Sequence, residues 1–100
     1  MTTKEFIDSL TQTFAKCLEI SKSKNMDYAG QDDPFRNFKN AEVVGVSIER
    51  GIMVRVMDKI SRISNLLDKP ADVSSEKIED TIIDAINYLN ILKARLESKK

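Results

Sequence analysis

Histidine is absent from this chain, cysteine occurs once, and sixteen basic residues cancel sixteen acidic ones. The missing histidine removes much chemistry. There is no Ser-His or Cys-His pair and no imidazole base. A zinc site of nitrogen and sulfur ligands is almost excluded, so a bound metal is expected to be a hard, oxygen-ligated cation, Mg²⁺ or Mn²⁺. Any acid–base group must be a carboxylate, a lysine or a tyrosine. The lone Cys17 rules out an internal disulfide, and its place in an apolar stripe marks it as core. No basic excess advertises nucleic acid, so direct nucleic-acid binding is not expected. No apolar run approaches the length of a membrane span, and no signal peptide opens the chain. No membrane partner is expected, and a cytoplasmic location follows.

What is present is the composition of a helix-rich globular protein. Of 100 residues, 41% are apolar and 32% charged, which suits one helical domain over residues 1–100 with a modest core. A first helix is expected from about Thr3 to Lys22, with Thr2 and Glu5 spaced as a capping box. Its stripe is Ile7, Leu10, Phe14, Cys17 and Leu18, with Phe6 beside it. A second helix starts after the N-cap Ser47 and ends near Leu67–Asp68, before Pro70. Ile52, Met53, Val56, Ile60, Ile63 and Leu67 make its stripe. Glu49 lies within that arc, either solvated at the helix start or a buried ligand. Arg55, Asp58 and Arg62 lie opposite, with Lys59 flanking, and the spacing allows intrahelical pairs of Asp58 with Arg62 and Arg55.

Between these helices, Lys22 to Val46 is irregular. Gly30, the Asp32-Asp33-Pro34 run and Asn40 break any long helix. The segment is too long for a bare connector and carries Tyr28, Phe35 and Phe38, half of the six aromatics. A short turn through Phe35–Phe38 is expected, with both rings plugging the open end of a bundle. Lys24, Asp27 and Tyr28 are candidates for ligand contact.

The third helix, Ser74 to Leu96, has two faces that need covering. Ile78, Ile82, Ala85, Leu89, Leu92 and Leu96 form a core stripe. On the far side Glu76, Asp80 and Asp84 mix with Ile83, Asn87, Ile91 and Ala94. Acids four apart destabilise a helix by roughly 0.2–0.5 kcal/mol per pair unless a cation sits between them. A second chain, a metal or both should therefore cover this face. The expected fold is all-α: a bundle of three main helices with a long structured loop between the first two, completed by homo-oligomerisation.

Several segments together resemble a known family. Lys24-x-x-Asp27-Tyr28-x-Gly30, Asp33-Pro34-Phe35-x-Asn37-Phe38, Gly45-Val46, Arg55-x-x-Asp58-Lys59-x-x-Arg62 and Glu79-Asp80-Thr81-x-x-Asp84-x-x-x-Tyr88 look like the nucleotide modification associated domain 1 family, small proteins common in phages. The likeness covers roughly residues 20 to 97. It implies association with nucleotide metabolism and, for a phage protein, the host cytoplasm. More distantly, the acidic third helix is similar to the MazG-like and dimeric dUTPase pyrophosphohydrolases. Those enzymes hold Mg²⁺ between an E-x-x-E helix and an E-x-x-D helix. Carried across, the metal ligands are Asp80 and Asp84 with Glu49 or Asp58 from helix two, and Asp58, Asp80 and Asp84 form the catalytic set. Helix two lacks E-x-x-E, and helix three has Asp-x-x-x-Asp.

Two functions follow as expectations. One is Mg²⁺-dependent hydrolysis of a nucleoside triphosphate or modified nucleotide, with carboxylates on the metal and a further carboxylate as base. Arg55, Lys59 and Arg62 would clamp phosphates, Tyr28 would stack on the base, and Asn37, Asn87 and Tyr88 complete the ligand-contacting set. The other is a binding protein without turnover that sequesters a nucleotide, including a host signalling nucleotide. In that case Asp80 and Asp84 pair with Arg55 and Arg62. A structural homo-oligomer whose charged faces simply pair is the plainest alternative.

Overall fold

A computed structural model describes residues 1–27 and 32–99, the side chains of 25–27 and 71–76 excepted. The described residues form α1 (Thr3–Asp27), a 3-10 helix (Arg36–Val44), α2 (Ile48–Leu67) and α3 (Ala71–Ser98), with no strand among them. The all-α architecture is as expected. No helix among them is long and apolar enough to cross a membrane.

Helix starts follow local chemistry. The Thr2 hydroxyl accepts from the Glu5 amide at 3.1 Å, satisfying a free donor of the first turn. The Ser47 hydroxyl does the same for Arg50 N–H at 3.2 Å. α1 runs five residues beyond the expected Lys22. Ser21 and Ser23 do not stop it, because Lys24 suits the negative end of the helix dipole and is tied to Asp84 of α3 at 3.6 Å. α3 begins at Ala71, not after Ser74. Pro70, with φ −55°, is the flanking residue, and its fixed backbone directs the chain straight into the helix.

The irregular segment is shorter than its sequence suggests. The Phe35 amide donates to Asp33 Oδ1 at 3.0 Å, and Arg36 N–H donates to the Asp33 carbonyl at 3.2 Å. This turn launches nine residues of 3-10 helix. Gly45 ends it with φ 80°, a left-handed conformation that favours glycine.

α2 and α3 pack antiparallel along their length, the 3-10 helix lies on α2, and α1 touches α3 alone among the described elements. The core is Ile48, Ile52 and Val56 of α2, with Phe35, Phe38, Tyr88, Ile91 and Leu92 packed on it. Ala85, Thr81 and Cys17 are also buried, Thr81 donating to the Lys77 carbonyl. Both long helices are rolled by roughly 70°, at about 100° per residue, from the orientation their stripes suggest. Met53, Ile60, Leu67, Ile82, Leu89 and Leu96, all expected in the core, are exposed. The cause is the 3-10 helix, whose phenylalanines occupy one flank of the hairpin and draw Ile48, Ile52, Tyr88 and Ile91 toward them. α1 differs too: Phe6, Ile7, Leu10, Phe14 and Leu18 are exposed, and only Cys17 of the expected stripe is buried.

Candidate ligand site

The end of α1, the turn before the 3-10 helix, the middle of α2 and the second half of α3 enclose a cavity of about 590 Å³. That volume lies within the range of small-molecule sites. Room for it comes from small residues. A side chain on Gly51 would meet Ala41 Cβ at 3.0 Å, so Gly51 lets the 3-10 helix approach α2 closely. Both residues line the cavity.

Its walls are aromatic and basic. Phe38 meets Tyr88 edge to face, with centroids 6.1 Å apart and planes at 87°. Arg55 and Lys59 lie 6.0 and 5.9 Å from the Tyr88 ring centre, at the distance where a cation is attracted to the ring face. Lys24, Arg36 and Arg55 contribute positive charge to the lining. Two acids also line it, and both are neutralised. Asp84 receives Lys24 at 3.6 Å and Lys59 at 3.3 Å, one on each oxygen. Asp33 pairs with Lys39, whose hydrogen bond, with one from the Phe35 amide, holds its carboxyl below the usual range. Among the described residues Arg36 and Arg55 have no carboxylate partner. Among the described lining residues and their partners, positive charge therefore exceeds negative.

Nδ2 of Asn87 is shut off from solvent with no hydrogen-bond partner, and Asn87 lines the cavity. A buried unpaired donor costs roughly 1–3 kcal/mol.

Of the residues expected from the sequence, the structure brings Lys24, Asn37, Arg55, Asp84, Asn87 and Tyr88 to this cavity, with Lys59 reaching Asp84 and Tyr88 from its edge. Asp27, as a side chain, and Tyr28 lie outside the described residues. Asp58, Arg62 and Asp80 are exposed, and none of them lines the cavity. The pairs of Asp58 with Arg62 and Arg55 are not formed. Asp84 takes two lysines in place of the arginines considered above.

Glu49 is elsewhere. It receives Arg95 at 3.0 Å and Lys99 at 3.1 Å. Its own backbone amide, then Lys99 and Arg95, lower its pKa from 4.5 to about 2. Arg95 is eleven residues past Asp84, about 16 Å along the helix at 1.5 Å per residue. Glu49 and Asp84 of one chain therefore cannot share a cation. Among the described residues no group of three acidic or cysteine side chains is gathered as a metal would require.

The covering of α3's far side is also resolved. Ile91 packs on the core, and Ile91, Ala94, Asn87 and Asp84 line the cavity under α1 and the 3-10 segment. That face meets this chain's own elements. Arg36 and Asn90 line the cavity as well and are not evident from the sequence; Arg36 sits between Phe35 and Asn37, with no charge pattern to single it out. Comparison with protein-family models, curated proteins and solved structures finds no match to this chain.

Proposed function

We propose that this chain binds a nucleotide in the cavity between α1, the 3-10 helix and the α2–α3 hairpin, without consuming it. The observation that carries this reading is the convergence of Arg36 and Arg55, without carboxylate partners among the described residues, with Phe35, Phe38, Tyr88 and Asn87 in one lining. Guanidinium groups suit phosphate oxygens, which they grip in pairs of parallel hydrogen bonds. Aromatic walls suit a planar base. The Asn87 amide suits a carbonyl or phosphate oxygen. The resemblance of the Asp33–Phe38 and Asp84–Tyr88 segments to the nucleotide modification associated domain 1 family points the same way. The cavity is built within one chain, so the reading does not require the homo-oligomer expected from the sequence.

Metal-dependent hydrolysis is the second reading, favoured by Asp80 standing one helical turn before Asp84. A cation there must displace Lys24 and Lys59 from Asp84. Calorimetry over nucleoside mono-, di- and triphosphates and cyclic nucleotides, in chelator, separates the two. Binding without metal is expected, weakened roughly 10- to 100-fold by Arg55→Gln, as loss of a charged hydrogen bond implies. No binding in chelator together with Mg²⁺-dependent pyrophosphate release would replace sequestration with hydrolysis.

A further inference from the structure

The hairpin has a second, outer face. On α2, Met53, Ile60 and Leu67 follow one another at seven residues; on α3, Ile82, Leu89 and Leu96 do the same. The three-residue linker makes the helices antiparallel. Equivalent positions of two such repeats then fall on the same flank of the seam. With Met57 these side chains are between 38% and 69% exposed. The α2 half of this face is poor in charge. The α2 arc reads Met53, Val54, Met57, Ile60, Ser61, Ser64 and Leu67, with Arg50 and Asp68 at its two ends and Asp58 at its edge beside Val54; on α3 the exposed Lys93 stands between Leu89 and Leu96, paired with Glu97. Solvated helix faces carry charge, and depletion of charge marks the centre of an interface.

The whole chain shows the same deficit. A compact monomer of 11.3 kDa exposes about 5,700 Å². This one exposes 7658 Å², a surplus of roughly 1,900 Å². A standard interface buries about 800 Å² per partner, so the surplus is more than enough for one.

We infer that the outer face of the α2–α3 hairpin is covered by a second copy of the same hairpin, completing a four-helix bundle. A second copy offers the matching seven-residue repeat, an equally apolar stripe and no net charge to repel it. A lipid surface would call for a basic rim. Here Arg50 and Asp68 cancel, and Lys93 pairs with Glu97 on the rim of α3. The interface lies away from the ligand cavity, so each copy keeps a complete site.

Sedimentation equilibrium of the full chain at micromolar to submillimolar concentration tests this. The expected mass is twice 11.3 kDa. Ile60→Glu combined with Leu89→Glu should weaken association by at least about a hundredfold, because burying unpaired carboxylates is costly, while far-UV helicity persists. Met57→Lys is the milder variant should the double change unfold the chain, and it should weaken association in the same direction. Arg62→Glu, off the face, should leave the dimer intact. A wild-type monomer at every concentration overturns the inference, whether or not the face then binds neutral vesicles. So does a dimer that survives either folded variant on the outer face.

Discussion

Single side chains decide the chemistry of this molecule, and Asn87 is the most informative. Replacing it with leucine, of similar size, removes a donor that has no partner. The expected result is a rise in melting temperature, from recovery of part of a roughly 1–3 kcal/mol penalty, together with loss of nucleotide affinity. Opposite movement of stability and binding is the mark of a functional polar group; a fall in both, by thermal shift and calorimetry, would make Asn87 a structural residue. Asp84→Asn discriminates in another way. It removes the carboxylate between Lys24 and Lys59 at a cost of about 1 kcal/mol or less, the pair being partly solvated. The cavity becomes more positive, so a triphosphate should bind at least as tightly; a metal enzyme would lose its turnover. Glu49 sets the acid response. Its pKa is about 2 in the fold and 4.5 unperturbed, so its stabilisation is complete above about 4.5 and lost as pH falls toward 2. Glu49→Gln should flatten the stability profile in that window, read by urea titration at a series of pH values. Much at this scale could be read beforehand: Lys24, Arg55, Asp84 and Tyr88 are chemically conspicuous. Arg36 and the true partners of Glu49 could not, because both depend on how far α3 extends and where the 3-10 helix lies.

At the scale of elements, periodicity announces three helices and says little about which flank of each is covered. A three-four repeat spans an arc wide enough that a roll of roughly 70° keeps half of it buried. Here the roll is set by Phe35 and Phe38, which come from outside the repeats. The aromatic pair is visible in the sequence as a plug, but its side of attachment is not. Gly51 is the hinge of that attachment. Gly51→Val should push the 3-10 helix off α2, since even a bare Cβ meets Ala41 at 3.0 Å. Nucleotide binding should fall steeply, as the cavity is bounded by both elements, while the α2–α3 hairpin stays helical by circular dichroism. Unchanged binding would place the site elsewhere. Ile52→Ala, at the fully buried centre, should by contrast cost roughly 2–5 kcal/mol of global stability.

Taken whole, the molecule is a firm hairpin with a lightly held arm. Its radius of gyration is 15.6 Å, against about 13 Å for a compact chain of this length. α2 and α3 share the core, whereas α1 touches α3 alone among the described elements, is tied to it by the Lys24–Asp84 pair and leaves its phenylalanines exposed. Elements with few buried contacts open first. Amides of α1 should therefore exchange with solvent well before those of α2 and α3. Cys17, on α1, whose thiol pKa is pushed up by burial, should react with a thiol reagent at the rate of that opening, not of global unfolding. A nucleotide bound as proposed should change this, because the cavity takes Ser21 and Lys24 from α1 and the rest from the other elements. Ligand that binds only the docked arrangement stabilises it by mass action, about 2.7 kcal/mol at a hundred times its dissociation constant. That corresponds to roughly a hundredfold slowing of Cys17 labelling at the same concentration. Labelling followed by mass spectrometry, with and without nucleotide, measures it directly. Protection confined to α2 and α3, with Cys17 labelling unchanged, would show that α1 takes no part in the site.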